Sequence, residues 1–191
     1  MELAKPGEGL PENERLGIKN ILVPVARTFF TWNIALFLVK REVKIIKKLV
    51  QKLPREKCIE KNIIDRTFAI EDDTRQFSVN LVLEHLTIAG SAIMLVIKSL
   101  SEEKEFKREI TIEGVKPKEN KLDQIDDFLA FYDKYFEFIK ELPKKQSKMT
   151  KKHPWFVSFN NFDWSVFMFM HTFIHRRQIE AIIKKLGEKN E

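Results

Sequence analysis

The chain has 191 residues, 43% of them apolar and 32% charged, with a single cysteine. That length supports one domain with a sizeable core, and a lone Cys58 excludes an internal disulfide framework, which fits a reducing, cytoplasmic setting. The net charge of +6 comes from 34 basic and 28 acidic residues; the two signs are mixed along the polar stretches, and with no recognition motif beside them nucleic acid is not the expected partner.

Residues 1–20 read as an N-terminal tail, with Pro6, Gly7, Gly9 and Pro11 and no apolar signal-peptide core. A single domain is expected over 21–187, with 188–191 as a C-terminal tail. The most membrane-like stretch is 21–39. Pro24 and Arg27 interrupt it, and its charge-free part is 12 residues long, against about 20 for a spanning helix. No membrane segment is therefore expected.

The first helix is predicted within residues 25–53. Phe29, Trp32, Leu36, Val39, Val43, Ile46, Val50 and Leu53 recur in steps of three and four, and Pro54 closes the run. Residues 55–73 form a connection, with a short strand or turn near 63–70. A second helix is expected after the N-capping cluster Asp72-Asp73-Thr74 and runs to about Lys98. Phe77, Leu81, His85, Ile88, Ala92 and Leu95 step along one face, which puts His85 in an apolar seam. Residues 106–115 alternate enough for an extended segment or a short hairpin arm. The third helix covers about 122–142, and residues 144–152 read as a basic, flexible linker. The fourth helix starts near Asn161 as N-cap and ends at Leu186, with Gly187 as the residue after its C-cap. The fold class is all-α: a four-helix bundle with long crossover connections and a short extended segment. Broad apolar faces leave homodimerisation open.

Four histidines carry the chemistry. His171 and His175 are four apart on the last helix, so their rings share one face about a turn apart. This is a common way for one helix to offer a metal two nitrogen ligands. His85, in the seam of another helix, can supply a third, because metal sites in bundles are built from facing helices. His171, His175 and Gln178 interrupt the apolar stripe of Trp164, Phe167, Met168, Ile174 and Ile182. An unpartnered buried polar group costs about 1–3 kcal/mol, so three together imply a shared partner. The alternative is that each buried histidine simply donates to a backbone carbonyl.

Gln178 is the best-placed hydrogen-bond partner for a ligand ring. Asp163 and Glu84 are further candidates, with a solvent-facing role as the alternative. Asn33, Trp32 and Tyr132 could line the cavity, core packing being the simpler role for the aromatics. His153, extended by the following Pro154, is either a loop residue whose aromatic neighbours plug the bundle or a residue at the mouth of the site. Arg176 suits a surface salt bridge, and Cys58 an inert thiol.

These residues resemble the DinB-like superfamily of metal-dependent proteins. The resemblance rests on Val82-Leu83-Glu84-His85-Leu86 and on His171-x-x-x-His175, which match that superfamily's three-histidine site in position and order. His153-Pro154-Trp155-Phe156, Trp164, Arg177 and Gln178 further match an uncharacterised branch, from which Val157, in place of a glycine, and Ile174, in place of an extra histidine, depart. The similarity covers about residues 29–186. It implies a four-helix bundle with crossover connections, a divalent transition metal, zinc or nickel, on His85, His171 and His175, and relatives that act on low-molecular-weight thiols. Two function classes follow: a metal-dependent transferase or hydrolase acting on a small molecule, and a non-catalytic bundle that a metal staples or that binds a protein partner. A structural site would close with a fourth protein ligand, whereas a catalytic one keeps an open position.

Overall fold

Helical structure begins at Glu12, inside the stretch expected as a tail, in a computed structural model that describes residues 3–5 and 10–188. Helix α1 (Glu12–Gly17) passes through a π turn (Ile18–Leu22) into α2 (Val23–Phe29). Pro24 follows directly on the π turn, inside a helical run that is continuous from Glu12 to Phe29; a break in the regular hydrogen-bond ladder is where a residue without an N–H is tolerated. Glu14 receives a bidentate contact from Arg66 (2.8 Å to Oε2) and accepts the Ala69 N–H at 2.8 Å, which ties α1 to the loop before α5.

The chain then bends by 113° into α3 (Trp32–Val50). The single helix expected over 25–53 is therefore two. Phe30 leaves the helical region, and the Thr31 hydroxyl accepts the Ile34 N–H at 3.2 Å, capping a new start. Phe29, assigned to the buried stripe, is 71% exposed. From Trp32 onward the stripe is buried at Trp32, Ala35, Val39, Val43, Ile46 and Val50.

A short helix, α4 (Arg55–Cys58), follows, and its Cys58 is buried. No strand forms near 63–70; a turn with Ala69 at φ 62° takes its place. Asp72-Asp73-Thr74 belongs to a 3₁₀ turn (Asp72–Gln76), not to a helix cap. The cap is Ser78, whose hydroxyl accepts the Leu81 N–H at 3.1 Å and starts α5 (Val79–Ser101). Asp72 instead pairs with Arg75, and Asp73 with Lys116 at 2.8 Å. By length and composition α5, rather than the stretch 21–39, could cross a membrane, but most of it is buried inside the molecule. Leu95, placed on its inner seam, is 52% exposed; Val82, Leu86, Ile93, Val96, Ile97 and Leu100 are the buried ones.

Residues 106–115 form no strand and end in a 3₁₀ turn (Glu113–Val115). Helix α6 (Gln124–Glu141) follows. The stretch after it is no loose linker. Lys144 Nζ contacts the carbonyls of Ile139 and Leu142 at the end of α6, and Ser147 is bonded to Asn161 at 2.8 Å. Among the described residues the only strands are here: β1 (Lys151–Lys152) pairs antiparallel with β2 (Ser158–Phe159), Lys151 opposite Phe159.

Helix α7 (Asn161–Glu188) is capped by Asn160 rather than Asn161. The Asn160 side chain accepts the Asp163 N–H at 2.9 Å, and Asp163 accepts the Asn160 N–H at 3.2 Å. Gly187, expected beyond the helix, is inside it. Both α3 and α5 pack against α6 and α7, so the four long helices close a ring of contacts around the core. Gly90 lets α5 and α6 approach, since a Cβ there would stand 2.5 Å from the Phe131 ring.

Candidate metal centre

Helices α5 and α7 bring three histidines to one point. Each of His85, His171 and His175 offers a ring nitrogen, and the three nitrogens lie within 4.8 Å of one another. His85 Nε2 is 3.1 Å from His171 Nε2. Ring centroids are 4.5 Å apart for His171 and His175, and 4.6 Å for His85 and His175. A tetrahedral ion with bonds of about 2.0–2.1 Å separates its ligand nitrogens by about 3.3 Å, so the closest pair already stands near that edge.

Hydrogen bonds decide which nitrogen each ring presents. His85 Nδ1 donates to the Val115 carbonyl at 2.9 Å. His175 Nδ1 donates to Gln178 Oε1 at 2.7 Å, and Gln178 Nε2 donates in turn to the Thr74 carbonyl at 2.7 Å. Both rings therefore carry their proton on Nδ1 and keep a lone pair on Nε2. The buried Nδ1 of His171 has no partner in the protein, so its tautomer is not locked. Two lone pairs facing each other at 3.1 Å repel; a proton on one, or a cation between them, removes the conflict. That donor chemistry fits a divalent metal.

Burial holds all three rings below the ordinary imidazole range. For His171 the neighbouring imidazoles add to it, and His175 is pushed down to about 3 by burial and then by His85. For His85 the Val115 bond and Asp73 oppose burial without cancelling it. Neutral imidazole is the form that binds metal.

Gln178 is fully buried and engaged at both ends of its amide. A Gln178→Leu chain is expected to bind zinc about 10–100-fold more weakly, the usual effect of removing a ligand's hydrogen-bond partner. Competition with a chromophoric chelator measures this, and unchanged affinity would remove Gln178 from the centre.

The loop that supplies Val115 is itself pinned. Glu84, next to His85, accepts three successive backbone N–H groups: Lys118 at 2.7 Å, Glu119 at 3.0 and 3.1 Å, and Asn120 at 3.0 Å. Asn120 adopts φ 51°, a left-handed conformation that asparagine tolerates. Glu84 is thus neither solvent-facing nor bonded to a ligand ring. Asp163 is also buried, and it takes Arg27 of α2 in a bidentate pair at 3.0 and 2.7 Å. Arg176 reaches Glu42 on α3 and Glu180 at 2.6 Å, a salt bridge whose Glu42 partner is buried.

The other sequence-selected residues divide. Asn33 is exposed on α3 and is not part of the cavity wall that holds the three histidines. Tyr132 of α6 is buried in the core, its hydroxyl 2.8 Å from that of Thr172 on α7, and burial pushes its phenol above the ordinary range. Trp164 is 1% exposed and packs edge-on to Phe159 and Phe167. His153 is no surface residue. Its ring stacks on Phe156 at 4.5 Å, meets Phe167 at 4.6 Å, and accepts the Trp155 N–H on Nδ1 at 3.2 Å.

Burial pushes His153 down to about 3, against 6.5 for a free imidazole. Its folded form resists protonation, so its stabilising share is complete above about pH 6.5 and is lost as the pH falls toward 3. Between pH 7 and pH 4.5 this residue alone is expected to cost the metal-free chain about 2–3 kcal/mol. Urea unfolding of the chain and of a His153→Phe variant at both pH values checks this; parallel losses in the two would refute it.

A cavity of about 160 Å³ adjoins the centre. His85, His171 and His175 are part of its wall, together with Trp164 and His153. Sequence reasoning missed this cavity, whose wall includes Ile18, Leu22 and Val23 from the stretch taken partly for a tail. It also missed the Glu84 loop clamp, although a carboxylate within an otherwise apolar helix was a usable signal. In comparisons with known proteins, no family model, curated protein or solved structure matches the chain.

Proposed function

We propose that this chain is a DinB-like four-helix-bundle protein that holds one divalent transition-metal ion, zinc or nickel, on His85, His171 and His175, and acts on a small molecule as a transferase or hydrolase. One observation carries the reading: three imidazoles, one buried and two half-buried, two of them with locked tautomers, converge on the wall of a cavity. Among the described residues no carboxylate or thiol belongs to the group. An ion held there keeps a position for a ligand, which favours an open centre over a closed structural one.

When bound, such an ion supplies a Lewis acid that brings water or a thiol to its nucleophilic form near neutral pH. The chain's own residues prepare the place. Val115 and Gln178 keep the protons of His85 and His175 on Nδ1, so that Nε2 remains the donor atom. Glu84 holds the loop on which Val115 depends. The apolar wall keeps bulk water from the imidazoles and keeps them neutral.

The order of the histidine motifs and the ring of contacts among α3, α5, α6 and α7 support the DinB-like reading. A low-molecular-weight thiol is the first co-substrate to try. Elemental analysis of the chain, reconstituted with zinc or nickel and dialysed, is expected to find one ion per chain. A chain that retains neither metal would end this reading.

A further inference from the structure

The body of the substrate is constrained by the cavity beside the three histidines. Its volume, about 160 Å³, is close to that of a dry apolar cavity that holds one benzene molecule, about 150 Å³. Its wall is overwhelmingly apolar, with Leu22, Val23, Ile93, Ile112, Phe156 and Phe167 among the lining residues. Small side chains make the room: Ala26 from α2, and Ala89 and Ala92 from α5.

The charges on this wall are already engaged. Arg27 and Asp163 close on each other at 2.7 and 3.0 Å, and Glu71 also has partners. A phosphorylated or polyhydroxylated body would give up its water there without replacement, which is unfavourable. An apolar body loses nothing polar on entry. The imidazole nitrogens and the unpartnered Trp164 Nε1–H are the polar exceptions on the wall, and the imidazoles, grouped at one point, suit one donor group rather than several.

We infer that the molecule served by this centre is a compact apolar one, with an aromatic or branched-alkyl body of benzene-like size and a single donor group directed at the histidines. This rests on the metal reading above and adds the substrate class to it. Ala89 and Ala92 set the size limit from α5, and Ala26 sets it from α2. Sugars, nucleotides and phosphate esters are excluded.

The test uses the full chain and two kinds of probe. Fluorobenzene, followed by fluorine NMR, reads the cavity without a metal. Cobalt(II), followed by its visible absorption, reads the histidines. Fluorobenzene is expected to bind the unaltered chain with a dissociation constant of about 1 mM or tighter. On the cobalt-loaded chain, phenylacetate is expected to perturb the cobalt spectrum at a concentration at least about tenfold below that needed for acetate, because only the former fills the cavity.

Ala92→Phe should abolish fluorobenzene binding and the advantage of phenylacetate while leaving cobalt affinity unchanged. Ala26→Leu, on the opposite helix, provides the same test should the first variant fail to fold, which circular dichroism reports. Normal cobalt binding with no fluorobenzene binding, or with phenylacetate and acetate equivalent, overturns the apolar-substrate inference and spares the metal centre. Fluorobenzene binding without cobalt binding overturns the metal centre, and with it the claim that the apolar body is presented to a metal.

Discussion

A His171→Ala chain, reconstituted beside the unaltered one, is expected to bind zinc or nickel at least about 100-fold more weakly and to emerge from dialysis nearly metal-free. With three protein donors, the loss of one leaves the two that belong to different helices, His85 on α5 and His175 on α7. Two imidazoles do not retain a divalent ion against a competing chelator. The variant is expected to fold, because His171 is only half-buried and its Nδ1 makes no hydrogen bond in the protein. Truncating it removes one hydrogen bond, from His171 Nε2 to His85 Nε2 at 3.1 Å, so the metal-free variant should lose only about 1 kcal/mol relative to the metal-free parent. Elemental analysis and thermal unfolding with and without metal read both halves. Equal metal content in the two chains would place the ion elsewhere.

A Glu84→Gln chain is expected to lose about 3–5 kcal/mol of stability, among the larger effects of a single substitution. The carboxylate is 6% exposed and accepts from the N–H groups of residues 118, 119 and 120. Each such bond to an ionised acceptor is worth about 1.5–3 kcal/mol. Glutamine has the same shape but turns one acceptor into a donor, which then faces backbone donors. The consequence reaches the metal centre through the loop, since Val115, three residues before Lys118, fixes the tautomer of His85. Zinc affinity should therefore fall together with stability, although Glu84 touches no ligand ring. Urea unfolding of the metal-free chain and chelator competition measure the two effects. A loss below about 1 kcal/mol would mean that the loop is held mainly by its other ties, Lys116–Asp73, Asn120–Ile59, Ser78–Asn120 and Asn80–Lys121.

The helices were legible wherever one face alone is apolar. The stripe of α3 from Trp32 to Val50 alternates with lysines, and its periodicity placed it correctly. On the seam expected along α5, Phe77 and Leu81 are buried and His85 faces α7, but the seam fails at Leu95. That helix is apolar nearly all round, so periodicity carries little information about which side turns inward, and Leu95 was put inside. Over 106–115, where an extended segment or short hairpin arm is expected, no hairpin forms, for a related reason. A short alternating run is a strand only if a neighbour pairs with it, and the chain pairs Lys151–Lys152 with Ser158–Phe159 instead.

The i, i+4 spacing of His171 and His175 on a continuous helix fixes their shared face before any folding is considered, and so the identities of the candidate ligands were readable from the chain alone. The same holds for the all-helical character of the long segments, which follows from local periodicity and proline punctuation. Gln178, three residues beyond His175 on the same helix, was legible in the same way as that ring's hydrogen-bond partner. Tertiary structure alone decided that α5 turns His85 toward α7, that Val115 sets the tautomer of His85, and that the N-terminal helices complete a cavity. Those outcomes depend on contacts between residues far apart in the chain, such as His85 with Val115, 30 positions apart, and Arg27 with Asp163, 136 apart. Local spacing fixes the faces of each helix; only the packing of one helix on another fixes which faces meet.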